Sequence, residues 1–163
     1  MQQPTRFIDI TLPFSDRLAV WPGDPPISIA RHPGIPAVSQ LSFGSHAGTH
    51  LDAPAHFLAG GLTVEHLSLD VLIGPAWVGE IRNAAVITAD LLERAHIPAG
   101  VERLLLRTDN TPAGPGDLAA QAARPFNEKF VALDAPAGRW LLARRIRLIG
   151  IDGPSIDPFG SPK

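Results

Sequence analysis

One stretch of the sequence decides how the rest is interpreted: Ser45-His46-Ala47-Gly48-Thr49-His50-Leu51-Asp52-Ala53-Pro54-Ala55-His56-Phe57. Three of the six histidines of the chain fall within it, and a carboxylate stands between two of them. Imidazole and carboxylate groups together are ligands that suit zinc, manganese or iron. The stretch therefore predicts a site for a divalent metal ion.

The backbone must bend inside this stretch if its ligands are to share one ion. In a flat strand His46 would lie about 13 Å from His50, at about 3.3 Å per residue, which is too far for shared coordination. Gly48 lies between them and permits a bend, whereas an intervening glycine and a following proline disfavour a helix. We therefore expect a bent strand that leads into a loop, with a short turn beginning at Asp52 or Pro54.

The same stretch offers candidates for both metal binding and proton transfer. His46, His50 and Asp52 are the candidate metal ligands, and three protein ligands would leave a coordination position for water, as in catalytic sites. His56 follows the stiff Pro54 and is placed to act as a nearby base that does not bind the metal. The other histidines are interpreted as ordinary surface or core residues: His32, His66 and His96.

The composition excludes several classes of function. The chain has 163 residues, which predicts a single domain over residues 1–163, and 45% of them are hydrophobic, enough for a core. A net charge of −2 gives no indication of a basic surface, so nucleic acid is not an expected partner. The absence of cysteine excludes disulfides and thiolate metal sites.

Nothing in the sequence predicts export or membrane insertion. Residues 1–11 have no apolar core of signal-peptide length, and no stretch approaches the roughly 20 apolar residues that would span a bilayer. We therefore expect a cytoplasmic protein with a small-molecule substrate.

Hydrophobic patterning predicts a mixed α/β fold. We expect strands at residues 6–14, 27–31, 39–45, 75–82, 101–108 and 146–152. Thr88 and Asp134 are candidate N-caps for helices at residues 89–96 and 135–145. Strand–helix–strand units in the second half favour a partly parallel sheet, whereas the first half is more typical of antiparallel β-structure.

Two further aspartates follow predicted strands and are open to two interpretations. Asp109 and Asp152 come directly after the strands at 101–108 and 146–152. Sites of α/β proteins often lie at such strand ends. Aspartates in these positions also commonly hold turns together.

The sequence resembles the cyclase family, which includes bacterial kynurenine formamidase and isatin hydrolase. Residues 46–57 match its signature H-x-G-T-H-x-D-x-P-x-H-F at every defined position. Three other segments agree with the family: Asp9-Ile10-Thr11, Trp21-Pro22-Gly23-Asp24 and Gly150-Ile151-Asp152-Gly153-Pro154-Ser155-Ile156-Asp157. The resemblance covers nearly the whole chain.

The resemblance implies roles for the residues of the signature. His46, His50 and Asp52 match metal ligands, and the aspartate also bridges to a second metal in the formamidases. His56 matches the proton donor and acceptor. Trp21 matches a residue that lines the substrate pocket, and we assign Phe57 to substrate binding as well. The implied fold is a swivelling β/β/α domain with a mixed sheet, and the family is generally oligomeric.

The resemblance also implies a C-terminal difference. Family members continue past the region that matches Asp157 and there supply a histidine and a glutamate to the second metal, whereas this chain stops at Lys163. We therefore expect a fold that is incomplete at its C terminus and at most one well-occupied metal per chain. We also expect a homo-oligomer, a dimer, in which the partner shields the sheet near residues 146–152.

Three functional hypotheses follow. The first is a metal-dependent hydrolase of a small amide such as N-formylkynurenine, using zinc or manganese. The second is a hydrolase of a cyclic amide or ester such as isatin. The third is a metal-binding relative without catalysis that lacks the C-terminal ligands.

Overall fold

The first part of the chain builds an antiparallel hairpin in the computed structural model, which describes residues 7–112 and 118–161. Strands β1 (Ser28–His32) and β2 (Val38–Ser42) pair so that Ser28 lies opposite Ser42 and His32 opposite Val38. These strands confirm the predictions for residues 27–31 and 39–45, with shifted ends, and they confirm antiparallel structure in the first half.

The predicted strand at residues 6–14 is wrong for the described residues, since no strand forms at residues 7–14. Leu12 packs against the core of the first unit, but the apolar residues before it are exposed: Phe7 is 85% exposed and Ile8 is 70% exposed. The carboxylate of Asp9 accepts a hydrogen bond from the backbone N–H of Thr11 at 2.9 Å, a local partner that competes with strand pairing. The hydrogen bond from the Thr11 side chain, and then this backbone one, hold the pKa of Asp9 below its ordinary value.

Helices and strands alternate in the rest of the chain. After two single 3₁₀ turns at Pro54–His56 and Val64–His66, the elements are α1 (Leu69–Leu72), β3 (Trp77–Glu80), β4 (Val86–Ile87), α2 (Ala89–Arg94), β5 (Arg103–Arg107), α3 (Leu118–Ala122), β6 (Ala132–Leu133), α4 (Ala135–Ala143) and β7 (Leu148–Ile151).

Parallel pairing dominates this second part. β5 lies between β3 and β7 in a three-stranded parallel sheet, and β4 pairs with β6 in a separate parallel pair. Because β5 is the central strand, Leu104 is fully buried and Leu106 is 2% exposed. Parallel and antiparallel sheets together confirm the predicted mixed α/β fold.

The two predicted helix caps are present. The hydroxyl of Thr88 accepts from the backbone N–H of Leu91 at 3.3 Å, and the carboxylate of Asp134 accepts from that of Ala137 at 2.8 Å. Each side chain thereby satisfies an N–H group that the first helical turn leaves without a partner. No helix in the described segments is long and apolar enough to cross a bilayer.

The described residues form two units, each with its own core. The first unit contains residues 7–51 and 118–126, and its buried residues are Leu18, Ile27 and Ala122. The second contains residues 52–112 and 127–161. Its core is larger and consists of Ile81, Ile87, Leu92, Ile97, Leu104, Leu106, Val131, Leu133, Ala137 and Leu141.

Candidate metal centre

A tight turn brings the rings of His46 and His50 together. The N–H of Ala47 donates to the carbonyl of Gly44 at 3.1 Å, and Gly48 has a positive φ of 68°. The ring centroids of the two histidines are consequently 5.2 Å apart, with their planes at 82°. The predicted bend at Gly48 is confirmed, but the predicted strand is wrong, because residues 45–49 form turns and bends.

Three candidate ligands meet in this segment. His46, His50 and Asp52 each offer one ligand atom, and these atoms all lie within 4.8 Å of one another. His46 is half-buried, whereas the other two are exposed. Two imidazoles and one carboxylate at this separation fit a divalent ion such as zinc or manganese and leave positions for water.

Backbone and side-chain contacts support the turn. The carbonyl oxygen of Gly48 lies 2.9 Å from Nδ1 of His50, within hydrogen-bond distance. The hydroxyl of Thr49 accepts from the backbone N–H of Leu12 at 3.0 Å. Ligand spacing alone does not reveal these contacts. The glycine between the two histidines is the sequence signal for the first contact, whereas nothing in the sequence marks the contact with Leu12.

The ring of His56 is presented by a 3₁₀ turn. Pro54 begins this turn, as predicted, and the backbone N–H of His56 donates to the carbonyl of Ala53 at 2.9 Å. His56 is exposed, and its ring lies 4.3 Å from that of Phe57, edge to face at 69°. The two residues therefore form an accessible pair that combines a titratable ring with an aromatic surface.

A close backbone approach fixes the turn that carries His56. The N–H of Ala55 donates to the carbonyl of Leu62 at 3.0 Å, which folds the following loop back onto the turn. A Cβ on Gly61 would lie 2.7 Å from the carbonyl carbon of Pro54, so only glycine fits there.

Trp21 lies in a turn of the first unit. The N–H of Asp24 donates to the carbonyl of Trp21 at 2.9 Å, which confirms the predicted turn. The half-buried indole of Trp21 contacts Phe126 edge to face, with ring centroids 5.2 Å apart.

Asp109 holds two strand ends of the second unit together. It follows β5, and its carboxylate accepts from the backbone N–H of Asn83, which follows β3, at 2.6 Å, and from Arg82 at 3.3 Å. The pKa of Arg82 is raised, first by its hydrogen bond to Glu80 and then by the one to Asp109.

Asp152 has the same kind of role after β7. It accepts from the backbone N–H and hydroxyl of Thr108 and from the N–H of Thr111. For both aspartates, the contacts favour the interpretation that they hold turns.

Comparison with known proteins agrees with the signature. The model of the Cyclase family, described as “Putative cyclase”, matches residues 8–158. The chain belongs to this family. A kynurenine formamidase of Bacillus cereus is 38% identical over 160 residues, which cover 95% of this chain and 72% of that protein. A kynurenine formamidase of Bacillus mycoides is 37% identical over the same shares.

The fold of this cyclase-family chain is also similar to solved structures of proteins that are described as metal-dependent hydrolases. A protein described as “Potential Metal-Dependent Hydrolase With Cyclase Activity” aligns with a TM-score of 0.72 and 28% identity, covering 92% of this chain and 69% of that one. A protein from Bacillus stearothermophilus described as “predicted metal-dependent hydrolase” aligns with a TM-score of 0.70 and 28% identity, covering 92% of this chain and 70% of that one. The relatives identify the chain as a hydrolase and confirm the predicted family and fold.

Proposed function

We propose that this chain is a metal-dependent hydrolase of small formamides, with N-formylkynurenine as the first substrate to test. The observation that carries the proposal is the group formed by His46, His50 and Asp52, whose ligand atoms lie within 4.8 Å of one another. The names of the relatives, kynurenine formamidase and metal-dependent hydrolase, support the reaction class.

In this proposal His46, His50 and Asp52 hold one divalent ion, zinc or manganese. When bound, such an ion polarises a substrate carbonyl and lowers the pKa of coordinated water. The exposure of His50 and Asp52 leaves the site open to a small substrate from solvent.

The reaction consumes one water molecule and breaks one C–N bond. Water adds to the formyl carbon, the C–N bond breaks, and formate and a free amine leave. In this proposal His56 takes a proton from the water and returns it to the amine nitrogen as a general base and then a general acid. Its exposed position on the 3₁₀ turn makes the ring available for both transfers.

Two aromatic residues are proposed to bind the substrate. Phe57 lies directly against His56 and is 52% exposed, so it offers apolar surface beside the proton-transfer group. Trp21 supplies the second surface in this proposal. Aromatic rings of this kind stack offset or edge to face with a substrate ring.

A substrate panel tests the proposed function. The purified chain is stripped of metal and reconstituted with zinc or manganese. Formate release is then measured with N-formylkynurenine and simpler aryl formamides, and ring opening is measured with isatin as the cyclic amide. We expect metal-dependent formate release. Metal-dependent opening of isatin alone would assign the chain to cyclic amides, and the absence of turnover on every substrate would contradict the proposal.

A further inference from the structure

The backbone already engages one nitrogen of the His50 ring. Nδ1 lies 2.9 Å from the carbonyl oxygen of Gly48. A carbonyl oxygen only accepts hydrogen bonds, so Nδ1 must carry the hydrogen in this contact. In a neutral imidazole the other nitrogen, Nε2, then carries the lone pair that a metal requires.

The position of the Gly48 carbonyl is set by its surroundings. With a φ of 68°, Gly48 is in the left-handed region that side chains disfavour. A Cβ there would lie 3.3 Å from the ring of Phe14 and 3.4 Å from a methyl group of Leu18. Leu18 belongs to the buried core of the first unit, so the glycine backbone rests directly on that core.

The next residue ties the turn to the N-terminal segment. The hydroxyl of Thr49 accepts from the backbone N–H of Leu12 at 3.0 Å, across 37 positions of sequence. Leu12 packs against the same core as Leu18. Two consecutive residues between the histidines are therefore anchored, Gly48 by packing and Thr49 by a hydrogen bond.

We propose that Thr49 is a positioning residue for the metal centre, which acts through Gly48 on His50. By holding the turn to Leu12, its hydroxyl keeps the Gly48 carbonyl aimed at Nδ1 and so leaves Nε2 of His50 as the metal ligand. This inference rests on the proposed function, because it takes His50 as a ligand. Partners that orient a metal-binding histidine typically contribute about 10- to 100-fold to metal affinity.

Zinc affinity of the metal-free protein measures this role without an activity assay. Thr49→Val keeps the side-chain volume but removes the acceptor, and we expect about 10-fold weaker zinc binding by competition with a chromophoric chelator. Thr49→Ser keeps the acceptor and should restore the wild-type affinity. Thr63→Val is the matched control, because the Thr63 hydroxyl lies 2.9 Å from Nδ1 of His66, which is outside the candidate ligand set.

Nitrogen-15 spectra of the histidine rings supply a second measurement on the wild-type protein. Zinc should shift Nε2 of His50 and leave Nδ1 protonated. Coordination through Nδ1 would overturn the inference, and so would equal zinc affinity in wild type and Thr49→Val. If Thr49→Val fails to fold, the spectra decide. A wild-type chain that binds no zinc or manganese would instead contradict the proposed function itself.

Discussion

Asp152 accepts both polar hydrogens of Thr108, a residue that lies 44 positions earlier in the chain. The backbone N–H of Thr108 is 3.0 and 2.9 Å from the two carboxylate oxygens, and its hydroxyl donates to Oδ1 at 2.7 Å. Thr108 is fully buried, so water cannot replace the carboxylate without rearrangement. The contact joins the ends of the neighbouring parallel strands β5 and β7.

Removing this carboxylate should destabilise the fold. Asp152→Ala leaves two buried donors of Thr108 without their partner, and we expect the free energy of unfolding to fall by about 3 kcal/mol. Urea denaturation measures the change. Asp157→Ala removes an exposed carboxylate from the same loop and should alter stability by less than about 0.5 kcal/mol. Equal effects of the two substitutions would show that the contact contributes no specific stability.

Metal binding should depend on His50. We expect the wild-type chain to bind about one zinc or manganese ion, because three candidate ligands converge in one group. His50→Ala removes one of those ligands and should abolish stoichiometric binding, measured by elemental analysis after dialysis. His66→Ala is the control outside the group. Wild-type metal content in His50→Ala would remove His50 from the ligand set.

Substitution of His56 should affect turnover but not metal binding. His56→Ala should retain metal but lose about 100- to 10,000-fold of the formamide hydrolysis, the contribution typical of general acid–base groups. Metal content and kcat are measured on the same preparation. Loss of metal together with activity would make His56 a ligand and would contradict the division of roles.

An ion pair in the second unit should give a defined pH dependence of stability. The hydrogen bond from Ser68, and then the one from Arg147 at 2.7 Å, hold the pKa of Asp70 below its ordinary value. A lowered folded-state pKa stabilises the fold above the unfolded-state pKa, and this stabilisation disappears as the pH falls through the folded-state value.

We therefore expect Asp70→Asn to be less stable than wild type at pH 7, and the difference to shrink once the pH falls below the ordinary aspartate pKa of 3.8 and to vanish below the folded-state pKa. The effect should be small because Asp70 is 61% exposed. Thermal unfolding midpoints across this pH range measure it. A difference between the two proteins that is constant with pH would exclude the linkage.

We also propose a homodimer. β7 is an edge strand of the three-stranded sheet, and unpaired strand edges are commonly covered by a partner. Light scattering at micromolar concentration should give twice the chain mass of 17.3 kDa. A mass of one chain across the micromolar range would exclude the dimer.

Local signals account for the elements that the sequence predicted well. The caps Thr88 and Asp134 act within three residues, so the beginnings of α2 and α4 could be predicted from neighbouring residues alone. β4 and β6 have two residues each and exist only because Val86 pairs with Ala132 far along the chain, so no local pattern marks them. The alternation at residues 7–14 predicted a strand wrongly because strand pairing also needs a partner that the pattern does not specify.

The candidate site also has features that the local sequence predicts and features that depend on long-range contacts. The residue types and spacing in residues 46–57 indicated the candidate ligands that the structure brings within 4.8 Å of one another, since imidazole and carboxylate groups belong to the residues themselves. The contact between Leu12 and Thr49 could not be predicted, because it joins residues 37 positions apart through a backbone N–H that every non-proline residue has. The candidate metal-binding side chains could therefore be identified from the sequence, whereas the contacts that hold them in place required the three-dimensional structure.

The core of the first unit has a consequence for synthesis on the ribosome. Ala47, in the turn that carries His46 and His50, packs against a core that includes Ala122. Residues 52–112, most of the second unit, are translated before Ala122 leaves the ribosome. The turn that carries His46 and His50 therefore lacks part of its packing core until residue 122 has been translated, so a shorter nascent chain holds this turn without complete support.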